Sequence, residues 1–308
     1  MKFFIHIGYP KTASTYLQLH IFRNNNNINF LGRPSDIWEE KLSVIEKMIF
    51  KYDDKEFDNE LPNILNILKD INFSEEKINL ISNETFLRSS RHELPNGADI
   101  FKNISRLKII FSNFGEVFFF IVMRNHTDML YSSYIQFKKS WSAYSITFET
   151  LKEHLKNKNS KKLFVLEDFK YFKVYNYICT NFGKETVKLL FYEDIKHSHF
   201  YFIDQLFKFF CINYDYHNFL NKTENQTEGK IKSWKFSSKI NFVFMKFINL
   251  IKNKKKLRID HIKILFVILF TQKHFKKYDF FDKNEFIKIN SLIKSYYRDD
   301  LVQFENEI

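Results

Sequence analysis

Short unbroken apolar runs separated by amphipathic stretches dominate the chain. Phe3–Ile7 reads as a short buried strand, Lys77–Ser82 and Val187–Phe191 as two more, and Val117–Met123 is an unbroken apolar run, the pattern of a parallel strand covered on both faces. Between them apolar positions recur at helical spacing. A helix is predicted over about Ser14–Arg23, with Leu17 and Ile21 on one face and the polar Asn24–Asn27 run ending it. Residues 36–75 read as helical, with Pro62 near a helix start, and Ile100–Phe114 as another helix. Thr127 or Asp128 caps a helix carrying Met129, Leu130, Tyr134 and Phe137. One more helix ends near Gly183, and a last one spans His199–Phe210.

Strands alternating with helices predict an α/β fold, a three-layer parallel β-sheet flanked by helices, with ligands outside the carboxyl ends of the strands. From about Lys230 the character changes. Lys232–Lys252 and His261–Lys273 are basic and apolar without strand-turn punctuation, and a charged tail helix follows over about 283–306. The expected organisation is an α/β core over 1–229 with a basic helical C-terminal extension over 230–308 packed on it.

At 308 residues, with 44% hydrophobic and 19% aromatic content, the chain can offset its ordering entropy without disulfides or metal. Peptide, collagen-like and natively unstructured classes are excluded. Lys plus Arg exceeds Asp plus Glu by 12, which suits an anionic partner or reflects AT-biased coding of a chain rich in Lys, Asn, Ile and Phe. Cys179 and Cys211 form no C-x-x-C pair and no disulfide framework, so a reducing compartment follows. The apolar start Met1–Ile7 is too short for a signal-peptide core, and Val117–Met123 and Ile264–Phe270 fall far short of the roughly 20 residues that span a bilayer. These features predict a cytoplasmic protein.

The first strand runs into Gly8-Tyr9-Pro10-Lys11-Thr12-Ala13-Ser14-Thr15, and a helix opens directly afterwards. Strand, small-residue loop and helix suit a phosphate: backbone N–H groups cradle the anion, Lys11 supplies charge and hydroxyls add donors. Pro10 stands where a Walker loop needs a second glycine before its lysine, which disfavours a nucleoside triphosphatase. After a later strand, Arg124 is followed by Asp128 and Ser132, placing a guanidinium and a hydroxyl near one strand end. Two anion sites imply a donor carrying phosphate at two positions.

Tyr9-Pro10-Lys11-Thr12-Ala13-Ser14-Thr15-Tyr16-Leu17 resembles the 5′-phosphosulfate loop of sulfotransferases that use 3′-phosphoadenosine 5′-phosphosulfate. The run Arg124-Asn125-His126-Thr127-Asp128-Met129-Leu130-Tyr131-Ser132-Ser133-Tyr134 resembles that family's 3′-phosphate motif, and Phe191-Tyr192-Glu193-Asp194-Ile195 its R-Y-E-D-L segment. The likeness covers about residues 3–215. It implies the P-loop-like sulfotransferase fold, in its bacterial or carbohydrate-type branch. Lys11 would contact the 5′-phosphosulfate and its bridging oxygen; Thr12, Ala13, Ser14 and Thr15 would complete the 5′ cradle, and Arg124 and Ser132 would hold the 3′-phosphate. Ala13 stands where glycine is frequent and His126 where proline is usual. The K-x-G-x-x-G-x-W motif of the small-molecule branch is absent, with Gly229-Lys230 and Trp234 a faint echo.

Glu84, in Ser82-Asn83-Glu84 at a strand end, is the candidate base for the acceptor hydroxyl, with His92 in reserve. Glu84 also suits a helix-start carboxylate or a partner for Arg88. No metal is expected. The acceptor implied is a glycan or glycolipid, and the nucleotide product adenosine 3′,5′-bisphosphate. Residues 240–270, with the Lys252–Lys256 cluster, suit a helix pair packed on the sheet or a peripheral contact with an anionic membrane at its inner face. Glu193 and Asp194 are expected to brace the following helix, and His197 and His199 to be exposed turn histidines. Arg88 and Arg91 face an anionic acceptor or water. Nucleic acid is not expected as a partner; the rival classes are a basic nucleic-acid or acidic-polymer binding module and a P-loop kinase.

Overall fold

The computed structural model describes residues 1–33, 35–84, 86–87, 99–133, 148–157, 166, 169–213 and 283–307. Five parallel strands form one sheet: β1 (Lys2–His6), β2 (Ile28–Phe30), β3 (Ile78–Ser82), β4 (Glu116–Met123) and β5 (Val187–Phe191), in the order β2-β3-β1-β4-β5. His6 lies between Ser82 on β3 and Phe120 on β4, and Met123 pairs with Phe191. The chain leaves β1 toward β2 and β3, and leaves β4 toward β5. The carboxyl ends of β1 and β4 therefore flank the point where the connections diverge, the usual place for a ligand crevice in such a sheet.

Aromatic side chains on alternate strand positions fill both layers. On one face Phe3 meets Phe73, Phe111 and Phe114, and Phe119 lies parallel to Phe182. On the other, Phe4 and Phe120 pack against Phe210, and Phe120 also against Phe22. Burial on both sides is why β4 reads as a continuous apolar run.

Helices cover each face. The helix α1 begins at Ser14–Tyr16 and widens to π-helical spacing over Leu17–Phe22. A similar π turn over Trp38–Leu42 leads into α2 (Ser43–Lys51), and α3 (Asp54–Lys69) follows. α4 (Ile100–Ser112) precedes β4, and helical residues 126–133 (α5) follow it. Then come α6 (Phe148–Asn157), α7 (Tyr171–Phe182), α8 (Tyr192–His197) and α9 (His199–Phe210). Lys283–Lys288 forms α10, and the predicted tail helix is broken into α11 (Asn290–Tyr296) and α12 (Arg298–Glu307).

Several expectations need correction. Pro62 does not start a helix; it lies inside α3, whose start is a capping box in which Asp53 accepts from the Glu56 N–H and Glu56 accepts from the Asp53 N–H. The interior proline costs about 3 kcal/mol. Its position is exposed, as is Asp58 one turn back, so the carbonyl it leaves unbonded faces water, while Phe57, Ile64 and Leu68 bury the opposite stripe. The cap of α5 is Asn125, whose Oδ1 accepts from the Thr127 and Asp128 N–H groups at 3.0 and 3.5 Å. β2 was not expected. Tyr134, Phe137 and the predicted helices over 232–252 and 261–273 lie outside the described residues.

Met1–Lys222 and Ile287–Ile308 make one compact unit, and Thr223–Phe286 a second. Within the first, Tyr297 lies flat on His126 with centroids 3.8 Å apart, and Tyr171 stacks on His126 at 4.5 Å. Asp300 accepts from the Phe172 and Lys173 N–H groups, supplying the missing partners at the start of α7. Thr127 donates to Asn290 at 2.6 Å, and Tyr297 to the Leu166 carbonyl at 2.9 Å. Residues 290–300 are thus keyed into the structure behind β4.

Arg106 is the other fixed point. Buried to 3% exposure, its guanidinium donates to the carbonyls of Met48, Ile49, Tyr52 and Asp53 and to the Asp54 carboxylate, and it lies over Phe57. One cation thereby satisfies the carboxyl end of α2 and the turn into α3.

Candidate active site

Four strand ends deliver chemistry to one edge, in the spatial order Glu84 after β3, the 8–15 loop after β1, Arg124 after β4 and Glu193 after β5. Neighbouring strands lie about 4.8 Å apart, so the loop sits one strand from both Glu84 and Arg124.

Lys11 has φ 68° and Ala13 φ 65°, ψ 19°, left-handed conformations that cost a non-glycine residue about 1–2 kcal/mol each. Ala13 occupies the cap position of α1 without a side-chain cap, so the first amides of that helix have no such partner. The Thr12 hydroxyl is buried and gives its proton to the Tyr9 carbonyl at 2.6 Å, stapling the loop from below. Ser14 is 3% exposed, and its Oγ has no hydrogen-bond partner among the described residues. Thr15 is half-buried.

Arg124 joins the two motifs. Its Nη1 donates to the Lys11 carbonyl at 2.9 Å, and the guanidinium lies 4.4 Å from the Tyr192 ring centroid. The buried Arg124 Nε has no partner among the described residues, and neither has the buried Ser132 Oγ on α5. The turn after Arg124 is fixed by Glu193, which accepts the Asn125 N–H at 2.9 Å, and by Tyr171, which donates to the Arg124 carbonyl at 2.8 Å. Burial raises the Tyr171 hydroxyl well above its usual range and keeps it a neutral donor. Glu193 therefore braces the turn between β4 and α5. Burial, reinforced by Glu193, also raises Asp194.

A cleft of about 720 Å³ opens beside this corner, where β4 and β5 end. Arg124, Asn125, Glu193, Lys294 and Arg298 are among its lining residues. Lys11–Thr15, Ser132 and Glu84 are not among its lining residues. Arg124 is thus shared between the loop on one side and the cleft on the other.

Glu84 is half-buried in the turn after β3, where the Asn83 N–H bonds the His6 carbonyl. Asn83 donates to Glu46 on α2, which also pairs with Arg33 at 3.1 Å, a polar group that sequence reasoning missed. Only distant pairing brings Glu46 here, so no local signal marks it. Gly32 lies so close to the Ser82 backbone that an added Cβ would sit 2.6 Å from its carbonyl oxygen. His92, Arg88 and Arg91 lie outside the described residues. His199 is not an exposed turn histidine: its Nε2 meets the Tyr16 hydroxyl at 2.6 Å, and burial lowers its pKa. Among the described residues no three metal-ligating side chains gather, and no helix is long and apolar enough to cross a membrane.

No family model matches the chain, and no curated protein does. A solved structure of a sulfotransferase from Alicyclobacillus acidocaldarius is similar at a TM-score of 0.47 and 12% identity, over 76% of this chain and 90% of that one. The chemistry of the site rests on its own residues.

Proposed function

We propose that this protein is a sulfotransferase that moves a sulfuryl group from 3′-phosphoadenosine 5′-phosphosulfate to a hydroxyl, in the first instance on a glycan or glycolipid. The observation that carries this reading is the Arg124–Lys11 bond, which joins the loop after β1 to the residue that ends β4, and so supports reading the two motifs as one site. The left-handed Lys11 and Ala13, the start of α1 without a side-chain cap, and the Ser14 Oγ, Ser132 Oγ and Arg124 Nε, which lack partners among the described residues, suit a ligand with two anionic groups. In this arrangement Lys11, Ser14 and Thr15 with the loop amides hold the 5′ group, and Arg124 and Ser132 hold the 3′-phosphate. Thr12 serves the loop's shape.

Sulfuryl transfer resembles phosphoryl transfer in its loose anionic transition state, so the protein's work is positioning and charge neutralisation. Lys11 neutralises charge developing on the leaving phosphate oxygen; its replacement by alanine is expected to cost about 10²–10³ in rate. Glu84, one strand away, accepts the proton of the acceptor hydroxyl. The acceptor assignment rests on the Ser82-Asn83-Glu84 segment and on the absent small-molecule motif.

Calorimetry with adenosine 3′,5′-bisphosphate and 5′-AMP tests the reading. The bisphosphate should bind at least about tenfold more tightly, the value of one charge-assisted contact. Equal affinities would refute the two-anion geometry. Transfer of labelled sulfate across desulfated glycans, lipids and phenols then identifies the acceptor.

A further inference from the structure

The floor of the loop holds a histidine that the reaction described above does not use. His6, the last residue of β1, is fully buried and stacked flat on Phe120, with centroids 4.6 Å apart and planes 6° from parallel. Its Nδ1 lies 2.8 Å from the Ser82 Oγ. That oxygen also receives the Gln18 Nε2–H of α1 at 2.9 Å. With one lone pair of Ser82 taken by Gln18, its hydroxyl proton has Nδ1 as an acceptor at hand, the arrangement in which the imidazole proton sits on Nε2. Burial holds the ring neutral, with its pKa lowered to about 3.

Nε2 has no partner among the described residues, and it faces the loop. A Cβ built on Gly8 would lie 2.8 Å from Nε2 and 3.2 Å from the Ser14 Oγ, itself a buried polar atom without a partner among the described residues. A donor and a hydroxyl therefore flank the same face of a glycine, kept apart by a gap that only a missing side chain leaves open. Burying two such groups unpaired is costly, and pairing them would relieve that cost.

We propose that His6 is a positioning residue of the anion-binding loop: in the loaded loop its Nε2–H donates to the Ser14 Oγ and so turns the Ser14 proton onto the bound oxyanion. The chain Gln18–Ser82–His6–Ser14 then links α1, β3, β1 and the loop in one direction of donation. Because the imidazole is neutral, it orients the hydroxyl without adding charge. The inference rests on the donor reading given above and extends it to a residue that touches no ligand.

Calorimetry with adenosine 3′,5′-bisphosphate on the full chain tests it. His6→Asn keeps a group at Nδ1 and removes Nε2, whereas His6→Gln keeps an N–H near the Nε2 position. His6→Asn and Ser14→Ala should each weaken binding about three- to tenfold, the value of one net hydrogen bond, and His6→Gln should stay within about twofold of wild type. The double variant should be no weaker than Ser14→Ala alone, since both changes break one link. Unchanged binding by His6→Asn, additive losses, or equal losses for Asn and Gln would overturn the proposal. Should His6→Asn not fold, ¹⁵N-detected spectra of the wild-type ring decide: an Nε2–H tautomer whose proton shifts on adding the bisphosphate supports the link, and an Nδ1–H tautomer or an unmoved resonance overturns it. Wild type that binds no bisphosphate sinks the donor reading and this inference with it; wild-type binding undiminished in His6→Asn sinks the inference alone.

Discussion

Arg124→Ala separates two jobs done by one guanidinium. In the protein as it stands, Nη1 ties the Lys11 carbonyl and the ring of Tyr192 lies beneath the charge. The tether acts on the loop, so its loss, about 0.5–1.5 kcal/mol, should weaken any ligand of the 5′ cradle to a similar degree. The contact to a 3′-phosphate is charge-assisted, about 1.5–3 kcal/mol, and only a bisphosphate feels it. Loss of the Tyr192 contact, about 0.5–1 kcal/mol, falls on the stability of the free protein. The informative quantity is therefore the ratio of Kd values for 5′-AMP and adenosine 3′,5′-bisphosphate, measured by calorimetry at one fixed salt concentration. Arg124→Ala should shrink that ratio by about 10- to 150-fold while weakening 5′-AMP itself by about tenfold or less. Arg124→Lys keeps the charge but not the fork that serves a carbonyl and a phosphate together, so it should fall between. If both ligands weaken equally and the ratio stands, Arg124 only fastens the loop, and the 3′-phosphate assignment fails.

Three further outcomes follow from the packing. Arg106→Met should cost at least about 3 kcal/mol in denaturant unfolding, because it strands buried carbonyls at the end of α2; a loss under about 1 kcal/mol would show that water replaces the guanidinium. Ala13→Gly should raise stability by about 0.5–1 kcal/mol, the left-handed strain removed less the extra freedom of the unfolded chain, read as a higher Tm; a lower Tm would mean that the φ of 65° carries no strain. His6 and His126 have folded-state pKa values lowered by burial to about 3 and about 4, so the unfolded chain binds protons that the folded one refuses. Their contribution is complete above the unfolded pKa near 6.5 and is lost as pH falls, at about 1.4 kcal/mol per pH unit per histidine, or roughly 3–4 kcal/mol between pH 6.5 and 5. A flat unfolding profile over that window would show that both rings take up protons without moving.

What the sequence disclosed and what it hid divide along physical lines. Val187–Phe191 and His199–Phe210 were legible to the residue, and β4 nearly so, because burial on both faces or along one stripe writes itself as an apolar pattern. β2 escaped because three residues at the end of an asparagine run carry no period, and its pairing to β3 is decided elsewhere in the chain. Within the site, the loop residues and Arg124 could be nominated from the order of their types. Their junction could not, since Arg124 reaches the Lys11 carbonyl across a separation that no local spacing encodes. Arg106, Glu46 and His6 were invisible for the same reason: each owes its role to partners brought near by the sheet. His126 shows the reverse case, where a departure from a usual proline makes sense only once two tyrosines close over the ring.

The stack of Tyr171, His126 and Tyr297, together with the Asp300 carboxylate at the start of α7, sets a timetable for biosynthesis. The sheet can be complete once β5 has left the ribosome, yet the corner holding Arg124 rests on Tyr171 and Glu193 alone until residues 297–300 emerge. A nascent chain stalled anywhere in that interval would carry every residue of the anion loop and still present it on an unfinished wall.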